Sequence, residues 1–280
     1  MKQAVIRWSF VAGAALVVGP VAGWLTGSLR APDGGPDATA LLSTSPVLGL
    51  AFTFGALLLA FAYAHVAAKA LNFKWGMLCA GLIIGWAAWQ SGRADAIIRR
   101  VQGPSVFWAL AVEGLLYAAI GTVAAFFITR ASDPRAAGVG SDEGARSDSM
   151  KAAAVAVIAG GIAAWAVARS EMVGQTFAAA VTAGVVGTLV GRVVGHRACV
   201  PASMLACAVL AALGPVAAAI IHGPATLETM YKGELFPLAR IMPLDWLGGM
   251  FIGVAVGVSW AGSMVEKHAP VEAGGVRPAA

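Results

Sequence analysis

Three side chains stand out for the chemistry they could perform inside apolar stretches of this sequence: Glu113, Tyr117 and His65. Glu113 belongs to the run 106–129, about 12 Å from its nearer end at helical rise. A carboxylate in hydrocarbon is costly unless it is protonated or paired, so its default reading is a proton or cation site. Tyr117 follows one turn later on the same helix face, within hydrogen-bonding reach of that carboxylate. The structural alternative is a protonated Glu113 bonded to a neighbouring helix or carbonyl. His65 precedes Lys69 by one turn near the inner end of the run 47–71, and the pair reads as a snorkelling polar cluster. Helical rise separates His65 from Glu113 by about 15 Å along the membrane normal, which argues against one shared site.

Other reactive residue types form no constellation. Cys79, Cys199 and Cys207 have no CxxC spacing, sit in or beside apolar runs, and read as small buried hydrophobes. There is no HExxH, Walker A loop, GxGxxG or intramembrane aspartate pair. Gly257-Val258-Ser259-Trp260 has a superficial likeness to a serine nucleophile elbow, but it lies in a row of glycines with no histidine in its layer. The sequence therefore assigns no catalytic, cofactor or metal residue, and the chain reads as non-enzymatic.

The elements that must position these side chains follow from composition. The 280 residues are 59% hydrophobic and 12% charged, with a mean hydropathy of +0.79. Charged residues make up about 25% of a soluble domain, so this chain is built for lipid. Apolar stretches at 4–28, 47–71, 74–91, 106–129, 151–169, 174–195, 199–221 and 246–265 each approach the length of about 20 residues that crosses a bilayer as a helix. The expectation is an all-α, polytopic integral membrane protein of about eight transmembrane helices. The first run is too long for an ordinary signal-peptide core, and reads as a retained helix. A net charge of +5 could suggest nucleic acid, but no basic run is interleaved with exposed aromatics, so none is expected.

With the N-terminus inside, 12 Lys and Arg fall on the inner side and 7 on the outer side. This bias predicts a plasma (bacterial inner) membrane protein with both termini cytoplasmic. Trp86, Trp89, Trp108, Trp246 and Trp260 lie near helix ends and read as headgroup anchors. Pro20 and Pro215 are expected to bend helices one and seven.

The second half resembles the first. Thr53-Phe54 matches Thr176-Phe177, each followed at sixteen residues by a cation, Lys69 or Arg192. Met77-Leu78 matches Met204-Leu205, Trp24 matches Trp165, and Trp108 and Trp246 each open the fourth helix of a set. Units of four helices share an orientation, so these are expected to be parallel repeats about an axis along the membrane normal. The resulting organisation is a first four-helix unit over 1–130, a flexible polar cytoplasmic linker over 131–150, a second unit over 151–268 and a disordered tail over 269–280. No residue of the second unit clearly matches Glu113.

Glycines at four-residue spacing form three rows: Gly19, Gly23 and Gly27; Gly187, Gly191 and Gly195; Gly249, Gly253 and Gly257. Such rows let helix backbones approach closely in lipid. Their partners are helices of the same chain, a second copy or another membrane protein. Outer loops 92–105 and 222–245, with Arg99, Arg100, Glu228, Lys232, Glu234 and Arg240, are the other candidate surface. The leading functional expectation is a non-enzymatic packing or assembly subunit of a membrane complex. A small secondary transporter or proton-coupled carrier using Glu113 is the alternative.

Overall fold

The computed structural model describes residues 2–101, 103–139, 143–195 and 198–266, apart from the side chains of residues 207, 208, 265 and 266. The expected tail at 269–280 and the side chain of Cys207 lie outside the described residues. Within them the chain is all-helical, without strands. The long helices are α1 (Lys2–Gly27), α2 (Pro46–Ala70) and α3 (Phe73–Gln90), then, after the short α4 (Ala94–Arg100), α5 (Ser105–Arg130). They continue as α6 (Glu143–Val167), α7 (Val173–Val194) and α8 (Val200–His222), then the short α9 (Thr226–Tyr231) and finally α10 (Pro243–Glu266).

Among the described residues, seven helices are long and apolar enough to cross a membrane, which fits a membrane-embedded protein. The helix that falls short is α3, weakened by Lys74, Gln90 and three tryptophans. Most of its residues are buried against α1, α2 and α10, which all pack on it.

Local chemistry sets several boundaries. Asn72 caps α3 by accepting from the N–H groups of Lys74 and Trp75, at 3.0 and 3.3 Å. Pro20 has no N–H to donate, and α1 absorbs it with a π turn at Ala14–Val18, where the Gly19 N–H reaches the Ala14 carbonyl. Local structure is present in the described residues 131–139 and 143–150. Asp133 accepts from the N–H of Arg135 and Ala136, the Val200 N–H donates to the Ala136 carbonyl, and α6 already begins at Glu143.

The glycine rows all meet helices of this chain. A Cβ at Gly187 or Gly191 would lie 2.8 Å from the carbonyl oxygens of Ala156 or Ala152 on α6. Gly23 and Gly27 face Trp86 and Gln90 of α3, and Gly19 faces the Trp86 ring. At the crossing of α7 and α10 the backbones touch, since a Cβ on Gly253 would sit 2.7 Å from Gly184 Cα. Only residues without side chains permit that approach.

Trp246 corrects the expectation of a headgroup anchor. It is fully buried (0% exposed) and is among the largest side chains of the core. Trp86, Trp89, Trp108 and Trp260 are exposed, as an interfacial ring requires.

Connections 28–45, 91–104, 168–172 and 223–242 gather at one end of the bundle. The Gly92 N–H donates to the Ala38 carbonyl, the Arg99 guanidinium lies 5.4 Å from the Tyr231 ring centre, and Arg240 pairs with Glu171 at 3.3 Å. Apolar residues of the loops 92–105 and 222–245 form one core there, including Ile97, Ile98, Met230, Leu235 and Met242. The two loops are halves of a single cap. Arg100 and Arg240, taken from sequence as partner-facing, are turned inward within it.

Candidate functional site

Glu113 lies on the buried face of α5 and is 2% exposed. Its partner is the segment 28–45, which joins α1 to α2. Oε1 accepts from the Ala40 N–H at 3.3 Å and Oε2 from the Leu41 N–H at 3.1 Å. Two consecutive backbone N–H groups aimed at both oxygens form an anion-binding concavity, replacing the water that the carboxylate has lost.

Several contacts hold that segment in place. Arg100 pairs with Asp33 at 3.0 Å and with Asp37 at 3.7 Å, and donates to the carbonyls of Pro36 and Asp37 at 2.9 and 3.1 Å. The Thr44 N–H and hydroxyl both donate to the Arg30 carbonyl at 2.8 Å. Gly49 on α2 lets Ala40 approach, since a Cβ there would lie 2.9 Å from Ala40 Cα. Sequence offered a signal for this in the acidic pair Asp33 and Asp37 beside Gly34-Gly35-Pro36, with Arg100 as the complementary charge.

Three hydroxyls collect around the carboxylate: Thr39 from the segment, Thr53 from α2, and Tyr117 one turn along α5. Thr39 and Tyr117 interact with Glu113, and Thr53 with Tyr117. All three oxygens are buried, and none reaches full hydrogen-bond geometry with a partner among the described residues. Thr39, Thr53 and Glu113 line a crevice with Met242, Pro243 and Leu244 that is too narrow for a water molecule. Tyr117 lies within reach of Glu113, one turn along α5. His65 lies elsewhere, lining an apolar groove with Phe61, Ile120, Val123 and Phe127. It is twelve residues along α2 from Thr53, about 18 Å at helical rise.

A second buried acid escaped sequence analysis. Asp245, in the first turn of α10 and 2% exposed, accepts from the Thr176 hydroxyl at 2.7 Å and from the Met242 N–H at 3.4 Å. Its Oδ1 is buried without a hydrogen-bond partner among the described residues. The signal was its place beside Trp246, at the start of the last apolar run.

No family model, curated protein or solved structure matches this chain. The chemistry must therefore be read from the residues alone. Among the described residues no group of three or more His, Cys, Asp or Glu side chains is placed to hold a metal ion. Cys79 is buried as a free thiol, and the Cys199 thiol accepts from the Ser149 hydroxyl at 3.6 Å. The Glu113 cluster can instead exchange donors. Its carboxylate binds two N–H groups with the loop in place, and a proton or a small cation could satisfy the same oxygens if the loop withdrew, with nearby hydroxyls completing the shell.

Proposed function

We propose that this chain is a small secondary carrier in which Glu113 takes the coupling proton or cation. The observation that carries this reading is the buried Glu113 carboxylate, which accepts from the loop N–H groups of Ala40 and Leu41 and has the hydroxyls of Thr39, Thr53 and Tyr117 beside it. Loop and ion compete for the same two oxygens, so ion binding and loop release are linked by mass action.

The carrier reading includes eight membrane crossings, with α3 as the sheltered one. Its support is the meeting of segments 28–45, 91–104, 168–172 and 223–242 at one end of the bundle, which requires an even number of passages between them. It also includes two parallel four-helix repeats. In their favour, α5 packs on α8 while α10 packs on α3, a reciprocal exchange of fourth helices onto third helices. Thr53 and Thr176, aligned by sequence, each lie at the acid cluster of the fourth helix in their own unit. The packing within the units is less alike, since α7 meets α10 far more closely than α2 meets α5. A plasma-membrane location with both termini cytoplasmic follows from the charge bias.

Proteoliposomes provide the test. Purified wild-type protein and Glu113→Gln are compared for proton or sodium uptake driven by a panel of solutes. Solute-dependent ion uptake by wild type that is lost in a folded Glu113→Gln supports the carrier. Equal uptake by both removes Glu113 from the mechanism.

A second reading, a non-enzymatic assembly subunit of a membrane complex, draws on the exposed charges of the cap. Arg99, Glu228 and Lys232 are each more than half exposed. Docking on another protein would use that surface, because the glycine rows are occupied within the chain. Gentle extraction followed by native mass spectrometry tests this, and a chain recovered without a stoichiometric partner counts against it.

A further inference from the structure

Two furrows run along the lipid-facing surface on either side of Trp86, at the cap end of the bundle. One, of about 520 Å³, is almost wholly apolar and is lined by Leu82, Trp86, Trp89, Val173 and Phe177. The other, of about 430 Å³, carries Ser28, Arg30 and Gln90 beside Trp24 and the opposite side of Trp86. Both volumes fall in the range of small-molecule sites. Arg30 ends the turn after α1 and is exposed. Its Nη1 donates to the carbonyls of Gly27 and Leu29, both at 3.0 Å, and no carboxylate pairs with it among the described residues. A guanidinium has five N–H donors in a fork that suits phosphate oxygens. This one lines the furrow that shares Trp86 with the apolar one.

We propose that the furrows flanking Trp86 seat an anionic phospholipid of the surrounding bilayer, with its phosphate on Arg30 and Gln90 and an acyl chain in the furrow between Trp89 and Phe177. Charge complementarity selects this occupant. A basic group in a cleft between membrane helices recognises a phosphate headgroup, and an apolar furrow beside it matches the attached chain. A zwitterionic lipid offers the same chain, but its own cation offsets the attraction of Arg30.

Native mass spectrometry of delipidated protein, given phosphatidylglycerol and phosphatidylcholine of equal chain length, tests the seat. Wild type is expected to retain phosphatidylglycerol about fivefold better, the contribution of one arginine at an anionic headgroup. Arg30→Gln should abolish that preference, while Arg99→Gln, at an exposed cap arginine away from the furrows, should keep it. Gly174→Phe should lower retention of both lipids, because Gly174 borders the apolar furrow and a Cβ there meets nothing within 4 Å. That variant also carries the test if Arg30→Gln fails to fold. Equal retention of both lipids by wild type, preference unchanged in Arg30→Gln, preference lost equally in Arg99→Gln, or unchanged retention in Gly174→Phe would each overturn the proposal.

Discussion

Arg100 and Glu113 hold the two halves of one loop. The guanidinium grips Asp33, Pro36 and Asp37, while the carboxylate receives the N–H groups of Ala40 and Leu41. The charge on α4 thereby sets the environment of the buried acid on α5. Arg100→Ala should loosen the loop without touching Glu113. The Asp33 end is half exposed and screened, so the expected loss is modest, about 1–2 kcal/mol. Hydrogen exchange at Ala40 and Leu41 should quicken in the variant, and unchanged protection would break this link.

The crossing of α7 and α10 should be the least forgiving contact in the bundle. Gly253→Ala places a Cβ against the Gly184 backbone and should cost about 1–3 kcal/mol through overpacking. Gly174→Ala enters open space and should be neutral or slightly stabilising. Thermal unfolding in one detergent separates them: Tm should drop for Gly253→Ala and hold for Gly174→Ala.

Two tryptophans offer a similar contrast. Trp246→Ala removes a fully buried side chain and should cost about 3–5 kcal/mol. Trp89→Ala removes a ring that is 63% exposed and should change stability far less. Denaturant titration in mixed micelles reads the difference, and equal losses would contradict the burial assignment.

The pair Thr176 and Asp245 should be energetically coupled. A hydroxyl donating to a buried carboxylate at 2.7 Å is worth about 1.5–3 kcal/mol. A double-mutant cycle with Thr176→Val and Asp245→Asn should recover a coupling of that order. Additive losses would show that the two side chains act separately.

Much of the helical frame was legible because spanning helices announce themselves by unbroken apolar length. The predicted run 47–71 became Pro46–Ala70, and 106–129 became Ser105–Arg130. Glu113 and Tyr117 stood out for a related reason, since a carboxylate in such a run must be protonated or paired. What surrounds Glu113 was not. Ala40 and Leu41 contribute backbone N–H groups, which leave no trace in residue type, and they arrive through a fold of the 28–45 segment fixed by Arg100, far away in sequence. Asp245 was hidden by its position at the edge of an apolar run, where acids are usually solvated. Trp246 was misread because nearness to a helix end does not reveal that a cap covers that end. The glycine rows showed close packing but not the partner, which spacing on one helix cannot specify.

The account rests on Glu113 being a carboxylate that opens and closes rather than a permanent strut for the loop. Labelling with a hydrophobic carbodiimide, which adds to a protonated carboxyl to give an acylurea, reads this most directly when followed by peptide mass mapping. The account predicts modification at Glu113 in the folded wild-type protein, faster in Arg100→Ala, where the loop is loosened. A Glu113 that stays unmodified in both proteins at every pH where they remain folded would contradict it.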